Sequence, residues 1–107
     1  MISTHILDTS IGSPAQGVTV ELEKRVGENW TLLGREQTDS DGRIVFQCPP
    51  EAGSYRLQFK IDAYFQRSKF TPFFTLASVV FQITDLGRKY HIPLLLNPYG
   101  YSTYRGS

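Results

Sequence analysis

Tyr55-Arg-Leu-Gln-Phe-Lys-Ile61 sets an apolar side chain at every second position and a polar one between each pair. Successive side chains of a strand point to opposite faces, so this alternation describes a β-strand with one face in a core and the other in water. The same period runs through Val18, Val20 and Leu22 against Thr19, Glu21 and Glu23, and returns in Val79, Phe81 and Ile83 against Ser78 and Gln82. Bends separate these runs at Gly12-Ser-Pro14, Val26-Gly-Glu-Asn29, Asp39-Ser-Asp-Gly42, Pro49-Pro-Glu-Ala-Gly53 and Asp85-Leu-Gly87. Glycine, proline, asparagine and aspartate are the residues that tight reversals need. One-faced strands joined by such bends predict an all-β chain folded as a single antiparallel β-sandwich.

One segment breaks the period. Asp62 can cap a short helix through Ala63-Tyr-Phe-Gln-Arg-Ser-Lys69, and Pro72 disfavours helical geometry at Thr71 and marks its end. About two turns are too few to stand alone, so this helix must pack onto a sheet.

The chain has 107 residues, the length of one domain spanning 1–107, enough to bury a core without disulfides or a structural metal. With 40% hydrophobic and 20% charged residues it has the composition of a globular protein. A net charge of +1 supplies no concentrated basic field, which argues against nucleic acid or an anionic membrane as partner. Lys24-Arg25 and Arg88-Lys89 are the adjacent basic pairs, and both fall at expected hairpin bends, where they read as solvated loop charges. Cys48 is the single cysteine; it allows no intrachain disulfide and reads as a small packing residue. Met1-Ile-Ser-Thr-His-Ile-Leu-Asp8 lacks the basic segment and apolar run of a secretory signal, and no apolar stretch approaches a membrane span. A cytoplasmic location is expected.

Chemistry rests on few residues. His5 and His91 are the histidines, both in strand-like surroundings, and Arg43 follows the Asp39-Ser-Asp-Gly42 bend. Taken singly, each reads as an ordinary strand residue. Pro93, two residues after His91, donates no ladder hydrogen bond and points to an edge or irregular strand. Asp8 follows His5 by three residues, which on a strand means opposite faces. That spacing counts against a metal site and equally against a Ser3-His5-Asp8 triad. No nucleophile elbow and no phosphate-cradling glycine loop is present. The last seven residues, Tyr101-Ser-Thr-Tyr-Arg-Gly-Ser107, are unusually rich in hydroxyl and aromatic groups for a chain end, where fraying is normal.

Four elements in this order, Ser3-Thr-His-Ile-Leu-Asp8, Thr38-Asp-Ser-Asp-Gly-Arg43, His91-Ile-Pro-Leu-Leu-Leu96 and Tyr104-Arg-Gly-Ser107, closely resemble the 5-hydroxyisourate hydrolases, the enzymatic branch of the transthyretin-like family. Gly12-Ser-Pro-Ala15 and Asn97-Pro98 extend the resemblance over essentially the whole chain. The chain departs from the family between Phe70 and Val79, where Thr71-Pro-Phe-Phe-Thr-Leu-Ala-Ser78 stands in place of a common aromatic pair before the proline. The resemblance implies a transthyretin-like antiparallel β-sandwich of two four-stranded sheets with one short helix, assembled as a homotetramer, a dimer of dimers, with active sites where dimers meet.

It also implies a reaction, hydrolytic opening of the six-membered ring of 5-hydroxyisourate to 2-oxo-4-hydroxy-4-carboxy-5-ureidoimidazoline, with neither cofactor nor metal. On this reading His5, Arg43, His91 and Ser107 are catalytic, and His5, Arg43 and Tyr104 hold the substrate. An imidazole with an ordinary pKa of about 6.5 exchanges protons at neutral pH, so the His5/His91 pair is assigned to water activation and proton transfer, with the base left open between them. Arg43 offers a permanent charge and a flat fork of donors to a planar, oxygen-rich ring. Ser107 orients a histidine or hydrogen-bonds the ring through its hydroxyl or a terminal carboxylate. The rival readings are a transthyretin-like carrier of a small aromatic ligand and a secreted recognition sandwich. Titratable groups and a guanidinium argue against the first, and the lack of paired cysteines against the second.

Overall fold

A computed structural model of the chain describes residues 1–48 and 51–107. Among them the order is β1 (Ile2–Asp8), β2 (Ser13–Pro14), β3 (Thr19–Val26), β4 (Asn29–Gln37), β5 (Arg43–Phe46), β6 (Gly53–Lys60), α1 (Ile61–Phe65), β7 (Leu76–Ile83), β8 (Tyr90–Asn97) and β9 (Gly100–Thr103). One sheet has the order β4-β3-β6-β7; the other runs β2-β1-β8-β9, with β5 also paired to β1. The two expected sheets are therefore present, the second enlarged by the two-residue β2. Pro49 and Pro50, part of an expected bend, lie outside the described residues.

The alternation in the sequence becomes the inside and outside of this sandwich. Tyr55, Leu57, Phe59 and Ile61 are at most 1% exposed, and Val18, Val20 and Leu22 beside them are fully buried. Ile2, Ile6, Leu94 and Leu96 of the other sheet close the core. Each such side chain stabilises the fold by roughly 1.5–3 kcal/mol relative to leaving it in water.

Two local features differ from the sequence-based expectation. β1 and β8 pair in parallel, whereas all other ladders are antiparallel. No short hairpin links these two strands, so nothing forces them to reverse. The helix begins at Ile61 and stops at Phe65, short of Lys69. Ile61 and Phe65, four apart, bury one helical face. The N–H and hydroxyl of Ser68 then both donate to the Phe65 carbonyl at 2.9 Å, which closes the helix early. Asp62 sits inside the first turn, where its side chain accepts the Ala63 N–H; Lys60 occupies the cap position without a side-chain bond. Among the described residues, no helix is long and apolar enough to cross a membrane.

Candidate active site

β1 turns Ile2, Thr4, Ile6 and Asp8 into the core and leaves Ser3, His5 and Leu7 on the outer face of the sheet. Its two neighbours bring the remaining chemistry to that face. On one side Arg43 of β5 stands directly opposite His5. On the other, the parallel register sets His91 of β8 abreast of Ser3 and Pro93 abreast of His5.

The bend before β5 fixes the position of Arg43. Asp39 Oδ1 accepts the backbone N–H of Asp41 at 2.9 Å and of Arg43 at 3.0 Å. Gly42 takes a φ of +73°, and its carbonyl accepts the Ile6 N–H at 2.8 Å, so the bend docks on β1 one residue beyond His5. A Cβ at position 42 would lie 2.5 Å from the Ile6 carbonyl oxygen, so only glycine fits. The backbone N–H of Arg43 is the main cause that holds the Asp39 carboxyl below its ordinary range; the N–H of Asp41 and the charges of Arg43 and His5 act in the same direction.

The chain after β9 folds back over His91. Gly106 N–H donates to the His91 carbonyl oxygen at 2.8 Å. This contact brings Ser107 to the rim of a depression of about 210 Å³ that Ser3, Arg43, Val45, Lys89 and His91 also line. His91 is half-buried, and its Nδ1 lies 2.8 Å from Ser3 Oγ. Burial, followed by the charges of His5 and Arg43, lowers its pKa below the ordinary imidazole value. Both causes disfavour the protonated ring.

Arg43, His91 and Ser107 thus share one depression, with His5 beside it across the Arg43 pairing. Tyr104 lies elsewhere. It lines a second cavity of about 260 Å³ with Val79, Phe81, Ile92, Thr103 and Arg105, which His91 and Tyr90 border as well. Within one chain, His91 is the wall that the two spaces have in common.

A family model described as the HIUase/Transthyretin family matches residues 2–106. The chain belongs to that family. It is 47% identical over 110 residues to a 5-hydroxyisourate hydrolase of Salmonella typhimurium, covering 100% of this chain and 81% of the relative. Among solved structures, the 5-hydroxyisourate hydrolase of Klebsiella pneumoniae superposes with a TM-score of 0.86 at 42% identity, over 99% of this chain and 98% of that one. Sea bream transthyretin in complex with thyroxine superposes with a TM-score of 0.90 at 32% identity, over 98% and 93%. Backbone likeness does not separate the hydrolase from the thyroxine-binding protein. The distinction therefore lies in side chains and not in the path of the backbone.

The part that two residues take in this site escapes a reading of the sequence by motif. Lys89 reads as a loop charge, yet it precedes His91 by two residues, the spacing that puts both on one face, and it lines the same depression. Ser3 stands in the same relation to His5, and its partner is a histidine 88 residues away. Strand period signals the shared face in both cases; the partner across the sheet needs the register.

Proposed function

We propose that the protein hydrolyses 5-hydroxyisourate in urate breakdown, opening the six-membered ring to 2-oxo-4-hydroxy-4-carboxy-5-ureidoimidazoline. The observation that carries this reading is the meeting of Arg43, His91 and Ser107 at one depression with His5 alongside. Relatives that bear the name 5-hydroxyisourate hydrolase over the full chain support it. In the reaction a water oxygen bonds to the ring carbonyl carbon, the carbon–nitrogen bond breaks, and the proton lost by water reaches the departing nitrogen. Arg43 binds the planar ring and stabilises charge developing on the carbonyl oxygen. His5 and His91 handle the proton, Ser107 hydrogen-bonds the ring or a histidine, and Tyr104 contacts substrate where subunits meet.

We read the functional unit as a homotetramer, a dimer of dimers. β7 and β9 end their respective sheets, leaving edge backbone groups open to strand pairing. Phe73, Phe74 and Tyr101 of β9 form an exposed aromatic group, Tyr99 is exposed as well, and the Phe73 N–H donates to the Pro98 carbonyl. A surface of this kind supports burial against another copy. A reducing, cytoplasmic setting suits a chain whose one cysteine has no partner.

The test is direct. Freshly generated 5-hydroxyisourate is followed by its near-ultraviolet absorbance with and without the protein. Accelerated loss is the expected result, whereas loss at the spontaneous rate leaves a small-ligand carrier without catalysis as the better reading.

A further inference from the structure

The His91 ring is held at two points. Ser3 Oγ lies 2.8 Å from Nδ1, and the residues are abreast in the parallel β1–β8 ladder. Gly106 presses on the opposite edge so closely that a Cβ there would come within 2.6 Å of Cδ2. Nε2 makes no hydrogen bond among the described residues and is left for a ligand.

We propose that Ser3 is a positioning residue that fixes His91 as the tautomer with its proton on Nε2, so that His91 serves as a neutral hydrogen-bond donor and His5 as the proton acceptor. The inference rests on the hydrolase reading and decides between the two histidines that reading leaves equivalent.

A serine–imidazole contact can run in either direction, because the hydroxyl both donates and accepts. Around Ser3 on this face Arg43 and Lys89 only donate, and Ser107, which carries acceptor oxygens, makes no hydrogen bond to Ser3 among the described residues. Nδ1 is the one acceptor within hydrogen-bond reach of Ser3 Oγ among the described residues. The hydroxyl hydrogen therefore goes to Nδ1. Burial and the neighbouring charges disfavour a second proton on the ring, so the single proton sits on Nε2. A neutral imidazole N–H stabilises a developing oxyanion without surrendering its proton, and it complements the Arg43 guanidinium. Water's proton then passes to His5 as the carbon–oxygen bond forms. The resulting imidazolium returns it to the ring nitrogen as the carbon–nitrogen bond breaks, and one water is consumed in all.

The experiment uses the full-length, assembled protein labelled with nitrogen-15, and reads the two ring nitrogens of His91 by two-dimensional NMR at neutral pH. The expected wild-type pattern is a bare Nδ1 and a protonated Nε2. Ser3→Ala should relax this to a mixture and lower kcat about tenfold with KM changed by less than about twofold. Ser3→Thr, which keeps the hydroxyl, should restore both. A protonated Nδ1 in the wild type, an unchanged tautomer in Ser3→Ala, or a normal kcat in that variant would each overturn the proposal. If the wild type shows the expected nitrogens yet fails to speed substrate loss, the hydrolase reading fails and the placement of the proton stands.

Discussion

Gly106→Ala isolates the contact between the chain end and His91. Gly106 does not have a positive φ, so alanine meets no backbone strain there and the effect is purely one of space. The new Cβ would stand 2.6 Å from His91 Cδ2, 3.2 Å from Cγ and 3.2 Å from the His91 carbonyl oxygen. Carbon atoms in good contact sit about 3.5–4.0 Å apart, so ring and backbone must separate by about 1 Å. The ring cannot yield freely, since Ser3 holds Nδ1 at 2.8 Å. If instead the backbone retreats, the 2.8 Å bond from Gly106 N–H is stretched and Ser107 leaves the depression with it.

Either movement misplaces a group by an amount that costs on the order of 100-fold in rate when the group is part of a reacting geometry. The lost bond itself amounts to only about 0.5–1.5 kcal/mol, and Gly106 lies beyond the last strand, so the fold should survive. The assay is the near-ultraviolet decay of 5-hydroxyisourate alongside thermal unfolding by circular dichroism. The expected outcome is kcat/KM reduced about 100-fold with an unfolding midpoint within a few degrees of wild type. Gly100→Ala is the control: a Cβ there meets nothing within 4 Å, and activity should stay near wild type. Turnover by Gly106→Ala within about twofold of wild type would refute the idea that this contact sets the geometry of His91.

His91→Asn should lower kcat by about 100- to 10,000-fold while gel filtration shows the same assembly as wild type. Lys89→Ala should raise KM by up to about fivefold at low salt, and the difference should fade as salt screens the exposed charge. The His91 ring, followed by NMR, should titrate below its ordinary value of 6.5, and Arg43→Gln should move it upward because a neighbouring cation has been removed. Since its folded pKa is depressed, the associated stability is complete above 6.5 and is lost as the pH falls through the lower folded value. Tyr64→Phe removes the hydroxyl that donates to Asp8 Oδ2 at 2.7 Å, and Asp8 is only 3% exposed. That should lower stability by about 1.5–3 kcal/mol, seen as a reduced urea midpoint with unchanged slope.

What the sequence discloses follows the burial of each strand. Tyr55 to Ile61 is legible because β6 lies inside its sheet and one of its faces is wholly in the core. Asn29–Gln37 gives no such signal: β4 is a sheet edge with no buried residue, so nothing requires its side chains to alternate. The parallel β1–β8 pairing is invisible for another reason, since neither strand's own pattern records which neighbour it will find. His5, Arg43 and His91 are legible as a set through family resemblance. Their meeting depends on two registers, His5 against Arg43 and Ser3 against His91, that no local spacing encodes.

That dependence bears on how one sandwich can house different functions. A backbone that superposes on a thyroxine-bound transthyretin as well as it does on a hydrolase leaves the distinction to a few outward side chains. On β1 and β8 those side chains alternate with Ile2, Thr4, Ile6, Ile92 and Leu94, which the core holds in place. Outward positions can change without disturbing the inward ones, because strand period assigns them to separate faces. The steric constraint on Gly106 is of a different kind, since it ties the chain end to one particular ring. Loss of His91 would therefore remove the imidazole and with it the closest contact that demands a glycine at 106, leaving only the 3.2 Å approach to the backbone carbonyl, so a change in β8 frees the terminal segment to change as well.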